Sequence, residues 1–167
     1  AKYDIQTGEF LIQFRNITRA QIRGAELKVD GKYFNNSLNI NLGYTYVDPR
    51  DLEKDEFLTF RPRHLFYGGG RINFSIFQLG VDYRYISRFD RIDELFTDPL
   101  LRIFVPDLEK RVEAHIVDLR LASTFRLFNQ PFRISLQANN IFQYNYVEAV
   151  GLIAPIRNFV ATVETGL

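Results

Sequence analysis

The sequence predicts an all-β chain, an antiparallel transmembrane β-barrel of which about eight strands are present. Three observations lead there. Across residues 38–47 the chain reads Leu-Asn-Ile-Asn-Leu-Gly-Tyr-Thr-Tyr-Val, with Leu38, Ile40, Leu42, Tyr44 and Tyr46 on one face of an extended ribbon and small or polar residues on the other. The pattern returns at residues 77–86, 117–127, 132–138 and 159–167. The connections between such segments alternate between short and long, as the turns and loops on opposite rims of a barrel do.

Taken in order, the predicted strands cover residues 9–16, 20–34, 37–47, 63–74, 77–89, 111–127, 132–146 and 157–167. Each presents hydrophilic positions opposite its apolar ones. Glu26, Lys28 and Asp30 mark the second strand and Asn39 and Asn41 the third; Asp82 and Arg84, then Asp118 and Arg120, then Arg133, Gln137 and Asn139 mark later ones. Burying so many polar groups in a dry interior would cost kilocalories each, so the face they share is expected to line a wet or plugged lumen. The links at 35–36, 75–76 and 128–131 are short and rich in turn formers, whereas 48–62, 91–110 and 148–156 are long. On that sorting the short turns are periplasmic, the long loops extracellular and both chain ends periplasmic.

Aromatic positions give an independent orientation. Tyr44 with Tyr46, Tyr83 with Tyr85, and Tyr144 with Tyr146 fall at the long-loop ends of strands, a pattern expected of an interfacial girdle whose rings sit in lipid while the hydroxyls reach headgroups. Phe74, Phe77, Phe125 and Phe132 cluster at the other ends. A soluble β-sandwich is the competing reading, but a sandwich does not sort its long loops to alternate connections. One residue breaks the alternation: Asn140 is placed toward lipid, which calls for a β-bulge or a headgroup-level position.

Composition narrows the rest. The chain is 46% hydrophobic, yet no stretch approaches the ~20 apolar residues of a spanning helix. A net charge of +1 offers no cationic surplus for nucleic acid, and zero cysteines exclude disulfides, thiolate metal sites and cysteine nucleophiles. No charged-then-apolar leader precedes the first strand, so a signal peptide is expected to be absent or already removed.

Several motifs together resemble TonB-dependent outer-membrane receptors. Ala20-Gln21-Ile22-Arg23-Gly24-Ala25-Glu26-Leu27, with Asn16 shortly before, is similar to a strand pair of that family, and Phe60-Arg61-Pro62-Arg63-His64 to its re-entry from an extracellular loop. Asn140-Ile141-Phe142, with Tyr146 following, resembles the penultimate-strand pattern N-x-F-x-x-x-Y, and Pro155, Arg157 and Phe159 resemble the opening of the final strand. Two positions depart from the pattern: Ile156 stands where the family has glycine, and Leu167 where it closes on phenylalanine.

The resemblance implies the last third or so of a barrel of about 22 strands closed around a plug. It implies energised uptake, in the bacterial outer membrane, of a ferric siderophore, haem, cobalamin or glycan. Outer-membrane lipid and lipopolysaccharide, a plug domain, a TonB-type energising protein and the barrel-assembly machinery are the implied partners. Ligand contacts are expected from Arg50, Arg61, Arg63, Arg88 and Arg91 in the loops and upper lumen. A complete eight-stranded barrel with a structural or adhesive role is the alternative, since 167 residues suit one.

Signals for catalysis are thin. His64 and His115 are the only histidines and lack ligand spacing, Gly68-Gly69-Gly70-Arg71 lacks the lysine of a phosphate loop, and the loop carboxylates lack EF-hand spacing. No Ser–His pair suggests a triad. No cofactor, metal or enzymatic activity is expected.

Overall fold

A computed structural model describes residues 2–4, 9–11, 19–93, 111–149 and 152–166. Twelve strands run through them: β1 (Lys2–Asp4), β2 (Glu9–Leu11), β3 (Ala20–Tyr33), β4 (Leu38–Asp51), β5 (Glu56–Phe57), β6 (His64–Phe74), β7 (Phe77–Ile86), β8 (Ala114–Leu127), β9 (Gln130–Asn139), β10 (Val147–Ala149), β11 (Leu152–Ile153) and β12 (Asn158–Thr165). Eight form one antiparallel sheet in the order β12-β9-β8-β7-β6-β4-β3, with β5 folded back on β4. The pairs β1–β2 and β10–β11 are separate two-stranded ribbons. The strand expected over residues 9–16 is therefore described only at 9–11, where it pairs with β1 and not with the large sheet.

Three tight turns join the meander. Phe34, Asn35 and Asn36 take positive φ (51°, 54° and 67°), as do Ser75 (54°) and the adjacent Phe128 and Asn129 (49° and 65°). Two consecutive left-handed residues match the right-handed twist of the strands they connect, which favours a two-residue hairpin at 128–129 and leaves Gln130 and Pro131 inside β9. β4 runs four residues past the expected end, through Pro49 to Asp51, because β5 returns to pair Phe57 with Arg50 and Glu56 with Asp51.

The pairing register sorts the side chains. Leu27, Tyr44, Phe66, Tyr85 and His115 lie level on one face; Val81 opposes Leu119, Leu121 opposes Leu136 and Ile134 opposes Val163 on that same face. On the other face Asp30 opposes Asn41, Asp82 opposes Asp118, Arg120 opposes Gln137 and Arg133 opposes Glu164. Among the described residues no second sheet packs on the apolar side, where Leu136 is 53% and Val163 67% exposed. A soluble monomer rarely leaves an apolar patch of that extent to water. The sandwich reading fails on that arrangement.

The register also carries a shear. Leu38 stands opposite Ile72, two residues short of the end of β6, and Phe77 opposite Ser123, four short of the end of β8. With the turns on one rim, that stagger averages about 1.5 residues, or ~5 Å, per strand, which against a strand spacing of ~4.8 Å gives a tilt of roughly 45°. Barrel strands tilt by about that much. β3 and β12 do not pair with each other, so the described strands form an open sheet and not the small closed barrel that was the alternative.

Candidate functional site

The lumen-facing side is a continuous polar surface. Tyr67 Oη donates to Asp82 Oδ1 at 2.8 Å, Arg133 Nη2 to Gln78 Oε1 at 3.1 Å, Gln137 Nε2 to Asn139 Oδ1 at 2.6 Å, and Asn139 Nδ2 to Asn158 Oδ1 at 2.8 Å. Arg84 pairs with Asp118 at 3.7 Å. Lower down, Asp30, Lys32, Asn41, Arg71, Asp82 and Arg120 surround an open trough of about 480 Å³. Gly69 stands on the same face between Asn41 and Asp82, where a Cβ would collide with Asn41 Oδ1 and stand 2.9 Å from Asp82 Oδ1. Glu26 belongs to this face, opposite Thr45.

On the apolar side, at the long-loop end, two matching clusters stand one hairpin apart. Tyr44 Oη meets His64 Nδ1 at 2.7 Å, and Tyr83 Oη meets His115 Nδ1 at 2.8 Å. Tyr46 and Tyr85, directly opposite His64 and His115 in register, lay their rings 5.4 and 5.1 Å from the imidazoles. Glu113 joins the second cluster, accepting from Tyr85 Oη at 3.2 Å. Both histidines, which look solitary in the sequence, are thus held in tyrosine clusters. Ser123 shares the face of His115 but sits eight residues along β8, too far to meet it. Among the described residues no group of three His, Asp or Glu side chains is placed to hold a metal ion.

Tyr144 and Tyr146 depart from the expected girdle because β9 ends at Asn139 and not at residue 146. Asn140 takes φ 50°, and that left-handed step turns the chain out of the sheet. Its side chain is buried. Nδ2 donates to Tyr144 O at 2.8 Å and Pro155 O at 3.3 Å, Oδ1 accepts from Tyr144 N at 2.8 Å, and the Asn140 amide donates to Asp118 Oδ1 at 2.7 Å. Asn140 therefore reaches neither lipid nor headgroups; it staples residues 140–144 to 155. Tyr146 is carried to the lumenal side, buried with Ala114, Ile116 and Ala154. Tyr144 keeps one link to the girdle, an edge-on contact with His115 at 6.1 Å, while its Oη donates to Glu113 O at 2.5 Å.

The five arginines proposed as ligand contacts separate. Arg50 and Arg63 lie on the outer side, their guanidinium carbons 4.0 and 4.4 Å from the Phe57 ring centre. Asp48 pairs with both, at 3.3 and 3.8 Å, and Arg63 also donates to Tyr46 Oη at 2.6 Å and Asp90 Oδ2 at 3.3 Å. The hydrogen bond to Tyr46, more than any other influence, raises the Arg63 pKa above its ordinary value. Residue 63 is a bend and not a strand position, so alternation, which would send it to the lumen, does not govern it. Arg91 pairs with Glu56. Arg61 and Arg88 are exposed, and both lie outside the strands, where alternation assigns no face.

The remaining motif residues have local roles. Gly24 is required because a Cβ there would overlap the Tyr46 carbonyl oxygen. Pro62 forms a bridge with Phe89, and Arg157 Nη1 donates to Ile141 O at 3.5 Å. Phe142 and Phe159 are 71% and 75% exposed, Phe159 on the apolar face opposite Ala138. Leu167 lies outside the described residues. Phe57, placed by the β4–β5 return, and Ser87, whose Oγ accepts the amides of Arg63 and His64 at 3.1 Å beyond the end of β7, were not singled out from sequence.

A model of the family described as TonB dependent receptor-like, beta-barrel matches residues 2–141. No curated protein matches the sequence. Among solved structures the chain is similar to BauA, the ferric preacinetobactin receptor from Acinetobacter baumannii, with a TM-score of 0.67 and 12% identity over 88% of this chain and 22% of that one. At that identity the likeness concerns the fold, and the chain spans about a fifth of the receptor it matches.

Proposed function

The chain belongs to the TonB-dependent receptor-like β-barrel family, and from that premise we propose that it supplies part of the wall of an energised outer-membrane receptor for a scarce, bulky nutrient. A ferric siderophore, haem, cobalamin or a glycan are the candidate cargoes, and the ferric siderophore receptor of like fold puts the first of these foremost. The observation that carries the reading is a sheet greasy on one side and hydrogen-bonded on the other, with its long loops gathered on one rim.

On this reading the apolar side meets lipid, with Tyr44, Tyr46, Tyr83 and Tyr85 at the outer interface, and the polar side meets a plug domain across the glycine-floored trough. The open edges of β3 and β12 are the seams at which further strands complete a barrel of about 22. A TonB-type protein energises the plug, and the barrel-assembly machinery inserts the strands. Arg61 and Arg88 are the arginines left to meet an anionic ligand from the loop side.

The test is uptake in cells lacking the full-length gene and in complemented cells, with iron-55 chelates, haem and cobalamin offered separately. We expect one cargo to be taken up only by complemented cells, and only while the inner membrane is energised. Recovery of the protein outside the outer-membrane fraction, or uptake that continues without energy, would overturn the proposal.

A further inference from the structure

The two Tyr–His clusters at the long-loop end share a frame but differ in charge. In each, a histidine lies directly opposite one tyrosine in register, His64 against Tyr46 and His115 against Tyr85, and its Nδ1 meets the hydroxyl of the tyrosine two residues earlier on the facing strand. Only the second cluster has a carboxylate. Among the described residues His64 pairs with none, whereas Glu113 brings Oε1 to 3.5 Å from His115 Nε2. Both side chains remain open to the surroundings, Glu113 53% and His115 43% exposed.

Each of the two facing atoms is held from behind. With His115 Nδ1–H donating to Tyr83 Oη at 2.8 Å, the lone pair of Nε2 is left facing the carboxylate. Glu113 Oε2 accepts from Tyr85 Oη at 3.2 Å and the Glu113 carbonyl accepts from Tyr144 Oη at 2.5 Å, so the carboxylate and the backbone that carries it are both anchored. A gap of 3.5 Å is long for an N–H···O hydrogen bond. It fits two ligands of one ion, because bonds of about 2.0–2.1 Å at a tetrahedral angle set their donor atoms ~3.4 Å apart. Metal-binding imidazoles and carboxylates carry outer hydrogen bonds of this kind, which fix the tautomer and aim the donor.

We propose that His115 Nε2 and Glu113 Oε1 bind a divalent ion of the Zn2+, Cu2+ or Ni2+ class, with water in the remaining positions. One imidazole beside one carboxylate selects these ions over Mg2+ and Ca2+, which take oxygen shells. Bound there, the ion ties Glu113, just ahead of β8, to the strand itself and, through Tyr83 and Tyr85, to β7. The site rests on this geometry and not on transport of any cargo.

Tag-free full-length protein in a nonionic detergent is titrated calorimetrically with zinc chloride and with magnesium chloride, and its Cu2+ complex is read by electron paramagnetic resonance. Zinc should bind roughly tenfold or more tighter than magnesium. Glu113→Gln and His115→Gln should each remove one equivalent of zinc, His115→Gln should also remove the nitrogen splitting that one imidazole gives the copper spectrum, and His64→Gln should change neither. Tyr83→Phe, which deletes the outer partner of the imidazole, should weaken zinc roughly tenfold while keeping the splitting. Binding should survive ~1 M sodium chloride, which screens a bare charge attraction. Zinc binding untouched by Glu113→Gln or by His115→Gln, an equal loss in His64→Gln, or binding abolished by the salt would overturn the site, the last by showing an ion cloud and no coordination.

Discussion

Replacing Asn140 tests whether one side chain holds the segment that leaves β9. Its amide group makes three hydrogen bonds, two to Tyr144 and one to Pro155 O, and the residue sits 3% exposed at φ 50°. At ~1 kcal/mol for each bond, Asn140→Gly should cost the local structure about 3 kcal/mol. Asn140→Ala should cost about 4, since alanine adds ~1 kcal/mol for the left-handed backbone. The probe is the Ala154 amide, which donates to Tyr146 O at 3.2 Å and keeps that acceptor in every variant. Its hydrogen exchange therefore reports closure of the segment and not the deleted bonds themselves. A loss of 3 kcal/mol is roughly a hundredfold faster exchange where this segment opens locally. Amides of β8 and β9 should hold their protection. If Ala154 exchanges at the native rate in Asn140→Gly, or if β9 loses protection alongside it, the stapling role assigned to Asn140 is wrong.

Other expectations follow from the two faces. Leu121→Arg, on the apolar side of β8, should lower stability in lipid vesicles by about 2–4 kcal/mol when urea unfolding is followed, whereas Thr124→Arg, on the lumenal side, should shift it by under 1. Gly24→Ala forces a methyl group against the Tyr46 carbonyl and should cost about 1–3 kcal/mol, while Gly70→Ala, facing open space, should cost much less in the same titration. Tyr46→Phe removes the 2.6 Å acceptor of Arg63 Nη2 and should lower the unfolding free energy by about 1–2 kcal/mol, a loss that Tyr46→His partly restores.

The sheet was legible because period-two alternation is a local property. Residues 38–47 or 77–86 carry their own face assignment, and turn-forming residues at 35–36, 75–76 and 128–131 mark where each ribbon reverses, the last two residues of the third turn proving to belong to β9. The misreadings arise where the backbone leaves that regime. Counting by twos past Asn139 sends Tyr146 to lipid, but the chain leaves the strand there, with positive φ at Asn140 and again at Gln143, and buries Tyr146 on the other side. Arg63 escapes parity for the same reason, being a bend, and Arg50 was read as loop because the return of β5 is a tertiary event that no residue of β4 announces. The Tyr–His clusters needed inter-strand register: His64 and Tyr46 are eighteen residues apart in sequence, and only the pairing places them opposite.

Apart from the short β5 return, every pairing in the large sheet up to β9 joins strands that follow one another along the chain. Such a meander stores its cohesion in nearest-neighbour steps, much as a repeat array does. A substitution at one seam therefore disturbs the two strands it joins and leaves the remaining pairs as they were. Changes at one connection can thus accumulate while the apolar ribbon stays put, a separation of risks that a closely interlocked globule does not enjoy.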